Sequence, residues 1–209
     1  MALYAIGDLH LCLGAPKPMD VFGGAWVGYM DKLKEGMSVI GPEDTTVLLG
    51  DLSWSLDLAN AKADFAWINE IPGRKIILKG NHDYWWSTAA KFSKFCQEHG
   101  FENMHLLNNN CFEYEDIAVC GTRGWFFEEE RSGQHDEKVF KRELIRLEAS
   151  LKAAGRSRNW FSYTIRPDTR GMSVLKFFSC WKSMKCAAVS TAIFTAEAIN
   201  WPWKDCGME

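Results

Sequence analysis

Three short apolar runs in this chain end on residue types that bind metals or move protons. Leu3-Tyr4-Ala5-Ile6 runs into Gly7-Asp8-Leu9-His10, Thr46-Val47-Leu48-Leu49 into Gly50-Asp51, and Lys75-Ile76-Ile77-Leu78-Lys79 into Gly80-Asn81-His82-Asp83. A short β-branched run that closes on glycine and polar residues reads as a buried strand opening into a loop at its C-terminal edge. In open α/β sheets that edge is where ligands bind. Alone, Asn-His-Asp is readable as a turn with Asx-type hydrogen bonds. Three strand ends delivering carboxylate, imidazole or amide to one edge exceed turn chemistry. Asp8 and His10 are two residues apart, so in extended chain both point to the same side. Oxygen ligands mixed with imidazole suit a first-row divalent ion such as Mn, Fe or Zn.

In order and spacing these blocks resemble the calcineurin-like metallophosphoesterases, whose pattern is Asp-x-His, then Gly-Asp, then Gly-Asn-His-Asp or Glu. Asp83-Tyr84-Trp85-Trp86 and Gly121-Thr122-Arg123-Gly124-Trp125 are similar to a bacterial subgroup of predicted phosphohydrolases. The resemblance runs from Met1 to about Ala154. It implies an α/β fold, a sandwich of two β-sheets flanked by helices, and a binuclear site for two divalent ions (Mn, Fe or Zn). Asp8, His10, Asp51 and Asn81 are the metal ligands it implies, with Asp51 bridging the two ions. His82 is then catalytic rather than a ligand, donating a proton to the leaving oxygen or stabilising the transferring phosphoryl group. Asp83 would hold that imidazole in one tautomer. Arg123 would meet substrate phosphate bidentately; an arginine that only stabilises its loop is an equal alternative. The implied reaction is hydrolysis of a phosphate mono- or diester by a metal-bound hydroxide, with a phosphate-ester small molecule or a phosphorylated substrate as partner.

The chain's 209 residues fit one domain with a proper core. No apolar run approaches the roughly twenty residues of a spanning helix. Met1 leads straight into the first strand, so no signal peptide is expected. The seven cysteines are odd in number and scattered, which points to reduced thiols and a cytoplasmic protein. A net charge of −3 gives no signal for nucleic acid or membrane.

The alternation of strand and helix positions the three blocks. Helices are expected over Trp26 to Met37, over Leu58 to Ile71 with Phe65, Trp67 and Ile68 buried, and from a Ser87 N-cap to His99 before Gly100. Met104 to Val119 reads as a meander of short strands turning at Asn108-Asn109-Asn110. A long amphipathic helix then starts near Asp136, its apolar face being Val139, Phe140, Leu144, Leu147 and Leu151. Trp85 and Trp86 are read as core rather than site, and His99, His105 and His135 as structural or exposed.

Past Ala154 the character changes. Residues 155–209 hold eight Lys/Arg and four Asp/Glu, a balance of +4, whereas the first 154 hold 16 and 23, a balance of −7. His135 is the last histidine. The family supplies three more, in a His-Tyr-Pro-Pro-like turn and in Gly-His-Leu-His. Back-translated and read with each codon's third base joined to the next codon's first two, Asn159 to Pro167 permits Leu-Val-Phe-Leu-His-Tyr-Pro-Pro. In the same frame Ser190 to Thr195 permits Tyr-Gly-His-Leu-His. The chain therefore divides into 1–154, the N-terminal part of a metallophosphoesterase domain, and 155–209, a frame-shifted or divergent tail. Metal held at fewer than two sites or weakly, impaired activity, and a loosely packed tail follow as expectations. The alternative reading is a non-catalytic remnant or binding protein that keeps half the metal site.

Overall fold

The computed structural model describes residues 1–125 and 133–155, with the backbone of 158–163 and 188–191. Four strands, β1 (Leu3–Ile6), β2 (Thr45–Leu48), β3 (Arg74–Ile77) and β4 (Met104–Leu106), form one sheet in the order β1-β2-β3-β4, and every pair is parallel. The crossovers are α1 (Tyr29–Met37), α2 (Lys62–Glu70) and α3 (Ala89–His99). A second sheet has the order β5-β6-β7-β8, from β5 (Cys111–Tyr114), β6 (Ile117–Gly121), β7 (Arg158–Tyr163) and β8 (Ala188–Thr191). Only β5 and β6 pair antiparallel. Helix α4 (Gln134–Ala153) lies against β5 and β6.

Side-chain alternation along the strands explains the layers. Leu48 and Ile77 face one way and pack with Leu33, Phe65, Ile68 and Phe92 of the crossover helices. Val47, Leu49, Ile76 and Leu78 face the other way and pack with Val119, Phe112 and Ile117 of the second sheet. β2 is buried at every position, its two threonines included. The result is the expected α/β sandwich of two sheets flanked by helices. No helix among the described residues is long and apolar enough to cross a membrane.

Several boundaries differ from the sequence expectation. Gly28 adopts a left-handed conformation (φ 65°), so α1 starts after it, and Trp26 and Val27 belong to a preceding 3₁₀ turn and its end. The second helix begins at Lys62 rather than Leu58, and Trp67 is only partly buried. Thr88, not Ser87, caps α3, accepting the Lys91 N–H at 3.2 Å. The expected meander is split, because β4 joins the parallel sheet and only β5–β6 is a hairpin. Trp85 is core as expected, 2% exposed and edge-on to Phe65. Within the tail, the described backbone of β7 and β8 extends the second sheet; the remainder of 155–209 after Gly155 lies outside the described residues.

Lys75, the second residue of β3, has no solvent exposure. Its ammonium donates to the carbonyls of Ile71 and of Gly73 (3.1 Å), at the C-terminal end of α2. Burial pushes its pKa down to about 8.

Candidate metal centre

Because β1, β2 and β3 are parallel and in register, Ile6 opposite Leu48 and Leu48 opposite Ile77, their loops leave from one edge side by side. The first two loops then continue as a backbone zipper. Asp8 N–H donates to Gly50 O (3.0 Å), His10 N–H to Asp51 O (2.9 Å) and Leu11 N–H to Leu52 O (2.9 Å). Glycine is needed where the loops touch. A Cβ on Gly50, which sits at φ +97°, would fall 2.3 Å from Gly80 N, and one on Gly80 would fall 2.0 Å from Asp51 Oδ1.

Asp8 (φ 56°), His10 (φ 45°) and Asp51 (φ 52°) are all left-handed. Asp8 and His10 are therefore not extended as expected, yet they still meet, with His10 Nε2 3.4 Å from Asp8 Oδ1. Non-glycine residues in this region cost free energy and cluster at sites where the surrounding structure over-determines them. One ligand atom from each of Asp8, His10 and Asp51 lies within 4.8 Å of the others. His10 and Asp51 are 8% and 3% exposed, and buried His10 Nδ1 has no hydrogen-bond partner. Two carboxylates and one imidazole, whose Nδ1 has no hydrogen-bond partner, fit a borderline divalent cation.

Asn81, His82 and Asp83 arrive at the same edge from β3. The amide nitrogen of Asn81 sits 3.2 Å from His82 Nδ1. The imidazole of His82, 42% exposed, lies with Nδ1 2.9 Å from Asp51 Oδ2, and its backbone N–H donates to Asp51 Oδ1 at 2.8 Å. So the carboxylate in contact with this ring is Asp51, not Asp83. Asp83, 2% exposed, instead accepts from the backbone N–H groups of Gly80 (2.7 Å), Leu52 (2.8 Å) and Asp51 (2.9 Å), and from the Trp85 indole (2.8 Å). Burial and then the charge of Asp51 push its carboxyl pKa up, against the pull of the Gly80, Leu52 and Trp85 hydrogen bonds. Its geometry ties the β2 and β3 loops together and so fixes Asp51.

Arg123 lies apart from this cluster in its contacts. Its side chain is 10% exposed, with Nε 3.3 Å from Glu143 Oε1 and the guanidinium 4.5 Å from the Trp125 ring centre. It is thus neither a loose surface arginine nor, among the described residues, a partner of Asp8, His10 or Asp51. His99 takes no ligand role either, its Nδ1 lying 2.9 Å from the Phe95 carbonyl, and burial followed by the charge of Arg74 lowers the pKa of His105.

Two residues were not singled out by the sequence. Trp54 stacks on His10 at 4.5 Å and 14°, carries the Lys17 ammonium 3.4 Å from a ring centre, and donates its N–H to Met19 Sδ. Asp64, fully buried on α2, accepts from Leu13 N–H (2.7 Å) and Ser53 Oγ (2.5 Å), binding the two ligand loops to one helix. Neither has a spacing signal: an acid in a helix's first turn and a lone tryptophan are commonplace.

Fold and site together define a two-sheet α/β protein with a carboxylate–imidazole cluster at the carboxyl edge of its parallel sheet. The calcineurin-like phosphoesterase family model matches residues 1–184, and the chain belongs to that family. The match continues past Ala154, beyond β7 and on to residue 184, so it covers more of the chain than the motifs between Met1 and Ala154. Among solved structures, the Thermus thermophilus protein TT1561 is similar in fold at 14% identity and a TM-score of 0.53, over 90% of this chain and 80% of that one. An Aquifex aeolicus protein of unknown function, AQ665, aligns at 19% identity and a TM-score of 0.47, over 88% and 94%. No curated protein matches the chain.

Proposed function

We propose that this chain is a metal-dependent phosphoesterase whose site is only partly furnished, acting on phosphate mono- or diesters. The observation that carries the reading is the trio Asp8, His10 and Asp51, three left-handed residues whose ligand atoms converge within 4.8 Å. Asn81 is the fourth candidate ligand, through its amide oxygen. A divalent ion, manganese being our first candidate, would supply Lewis-acid polarisation of a phosphoryl oxygen and activation of water. The chain's own residues do the rest. His82, its half-exposed ring set against Asp51, would donate the proton to the leaving-group oxygen. Asp83 holds the Asp51 backbone, and Trp54 walls the cluster and excludes water from one face of His10.

The absence of histidine after His135 favours a second reading, a remnant or binding protein retaining half a metal site. Restoring the reading frame separates the two. A gene with its frame restored near Gly155 should regain the His-Tyr-Pro-Pro and Gly-His-Leu-His blocks, and with them hydrolysis of p-nitrophenyl phosphate. In that active form His82→Ala should lower kcat by roughly 10²–10⁴ with metal content unchanged, whereas Asp51→Asn should lose metal. A restored protein that fills its metal sites yet cleaves no phosphate ester would overturn the phosphoesterase reading.

A further inference from the structure

Beyond the metal centre, the carboxyl edge of the first sheet holds a second polar cleft. It lies where β3 and β4 end opposite the end of β6 and helix α4, and it is lined by Lys79, Trp86, Asn108, Arg123, Glu143 and Arg146 among others. Its charge is unbalanced. Lys79, Arg123 and Arg146 bring three positive charges and Glu143 one negative, a net +2 from 3 − 1. Glu143, with no exposure, is already used: it accepts from Thr122 Oγ1, from Arg146 at 2.9 Å and from Arg123 at 3.3 Å. Lys79 has no hydrogen bond among the described residues; its ammonium lies 5.8 Å from the Trp86 ring centre, and burial pushes its pKa down to about 8, so that it still carries its charge at neutral pH. The side-chain amide of Asn108 is likewise without a described partner. Arg123 is nine-tenths buried and held in place by Glu143. A guanidinium fixed in this way is preorganised for an oxyanion, and among the described residues its terminal N–H groups make no hydrogen bond.

We propose that this cleft is a phosphate-binding subsite, separate from the metal cluster. A phosphate group carries about −1.5 to −2 at neutral pH with several strong acceptor oxygens, which matches both the charge excess and the free donors. The inference does not depend on hydrolysis or on a bound metal. The test uses the full chain freed of metal with a chelator, so that the Asp51 cluster holds no cation to attract an anion. Inorganic phosphate and phenyl phosphate are titrated separately by equilibrium dialysis. One equivalent should bind per chain, and the affinity should fall at least tenfold in Lys79→Met and in Arg146→Met, and less in Lys79→Arg. Glu143 is left intact throughout, and circular dichroism confirms that each variant is folded. Binding of both ligands would identify an ester-borne phosphate, and binding of inorganic phosphate alone a free one; either supports the subsite. No binding of either ligand, binding indifferent to both methionine variants, or loss equally strong in Asp51→Asn would overturn it.

Discussion

Asp83 and Glu143 are both buried carboxylates, 2% and 0% exposed, and the fold satisfies them in opposite ways. Asp83 is held by neutral donors, three backbone N–H groups within 2.9 Å and an indole. Glu143 is held by two guanidinium groups and a hydroxyl. Neutral donors fix a loop without supplying positive charge. Beside Asp83, then, Asp8 and Asp51 stand with no arginine or lysine ion pair among the described residues, and the edge is short of a cation. Beside Glu143 the cations outnumber the acid, and the edge is short of an anion. The same sheet margin thus presents two clusters of opposite charge balance.

Removing either anchor should expose the difference. The largest loss is expected for Asp83→Ala, which strands several buried donors at once and should cost roughly 4 kcal/mol in urea unfolding. Gly80→Ala comes next. Its new Cβ cannot coexist with Asp51 Oδ1 at 2.0 Å, so the loops must part. We expect a loss of about 3 kcal/mol together with loss of manganese binding, read by the same unfolding experiment and by metal titration. Glu143→Gln removes a charge that Arg123, Arg142 and Arg146 share, and should cost about 2 kcal/mol while leaving manganese binding intact. If Glu143→Gln abolished metal binding, the two sites would not be independent. Thr88→Ala, a cap that contacts neither cluster, should cost about 1 kcal/mol and change the binding of neither ligand.

The contrast also shows which features a sequence carries. The Asp8, His10 and Asp51 cluster was legible because each ligand follows a glycine at or near the end of an apolar run, and parallel strands bring such ends together. The left-handed conformation of Asp8 and His10 was not, since alternation along an extended strand gave the same neighbours for a different reason. Asp83's partners were hidden as well: its donors include main-chain groups of Asp51 and Leu52, far away in sequence, and no side-chain pattern reports them. Arg123 was visible as a charged residue in a glycine-flanked loop. Its partner Glu143 was not, because on α4 it sits among the exposed-looking acids of an amphipathic helix and only packing against β6 buries it. The split of β4 from β5 was missed for a related reason. The Asn108-Asn109-Asn110 turn fits a hairpin locally, while the choice of sheet is made by tertiary pairing.

The most direct test of the account is a manganese titration of the full chain after chelation and desalting, followed by paramagnetic resonance of free Mn²⁺ and compared with Asp51→Asn. The account predicts fewer than two equivalents, weakly held, and none in Asp51→Asn. Two tightly bound ions per chain, or binding unchanged in Asp51→Asn, would contradict it.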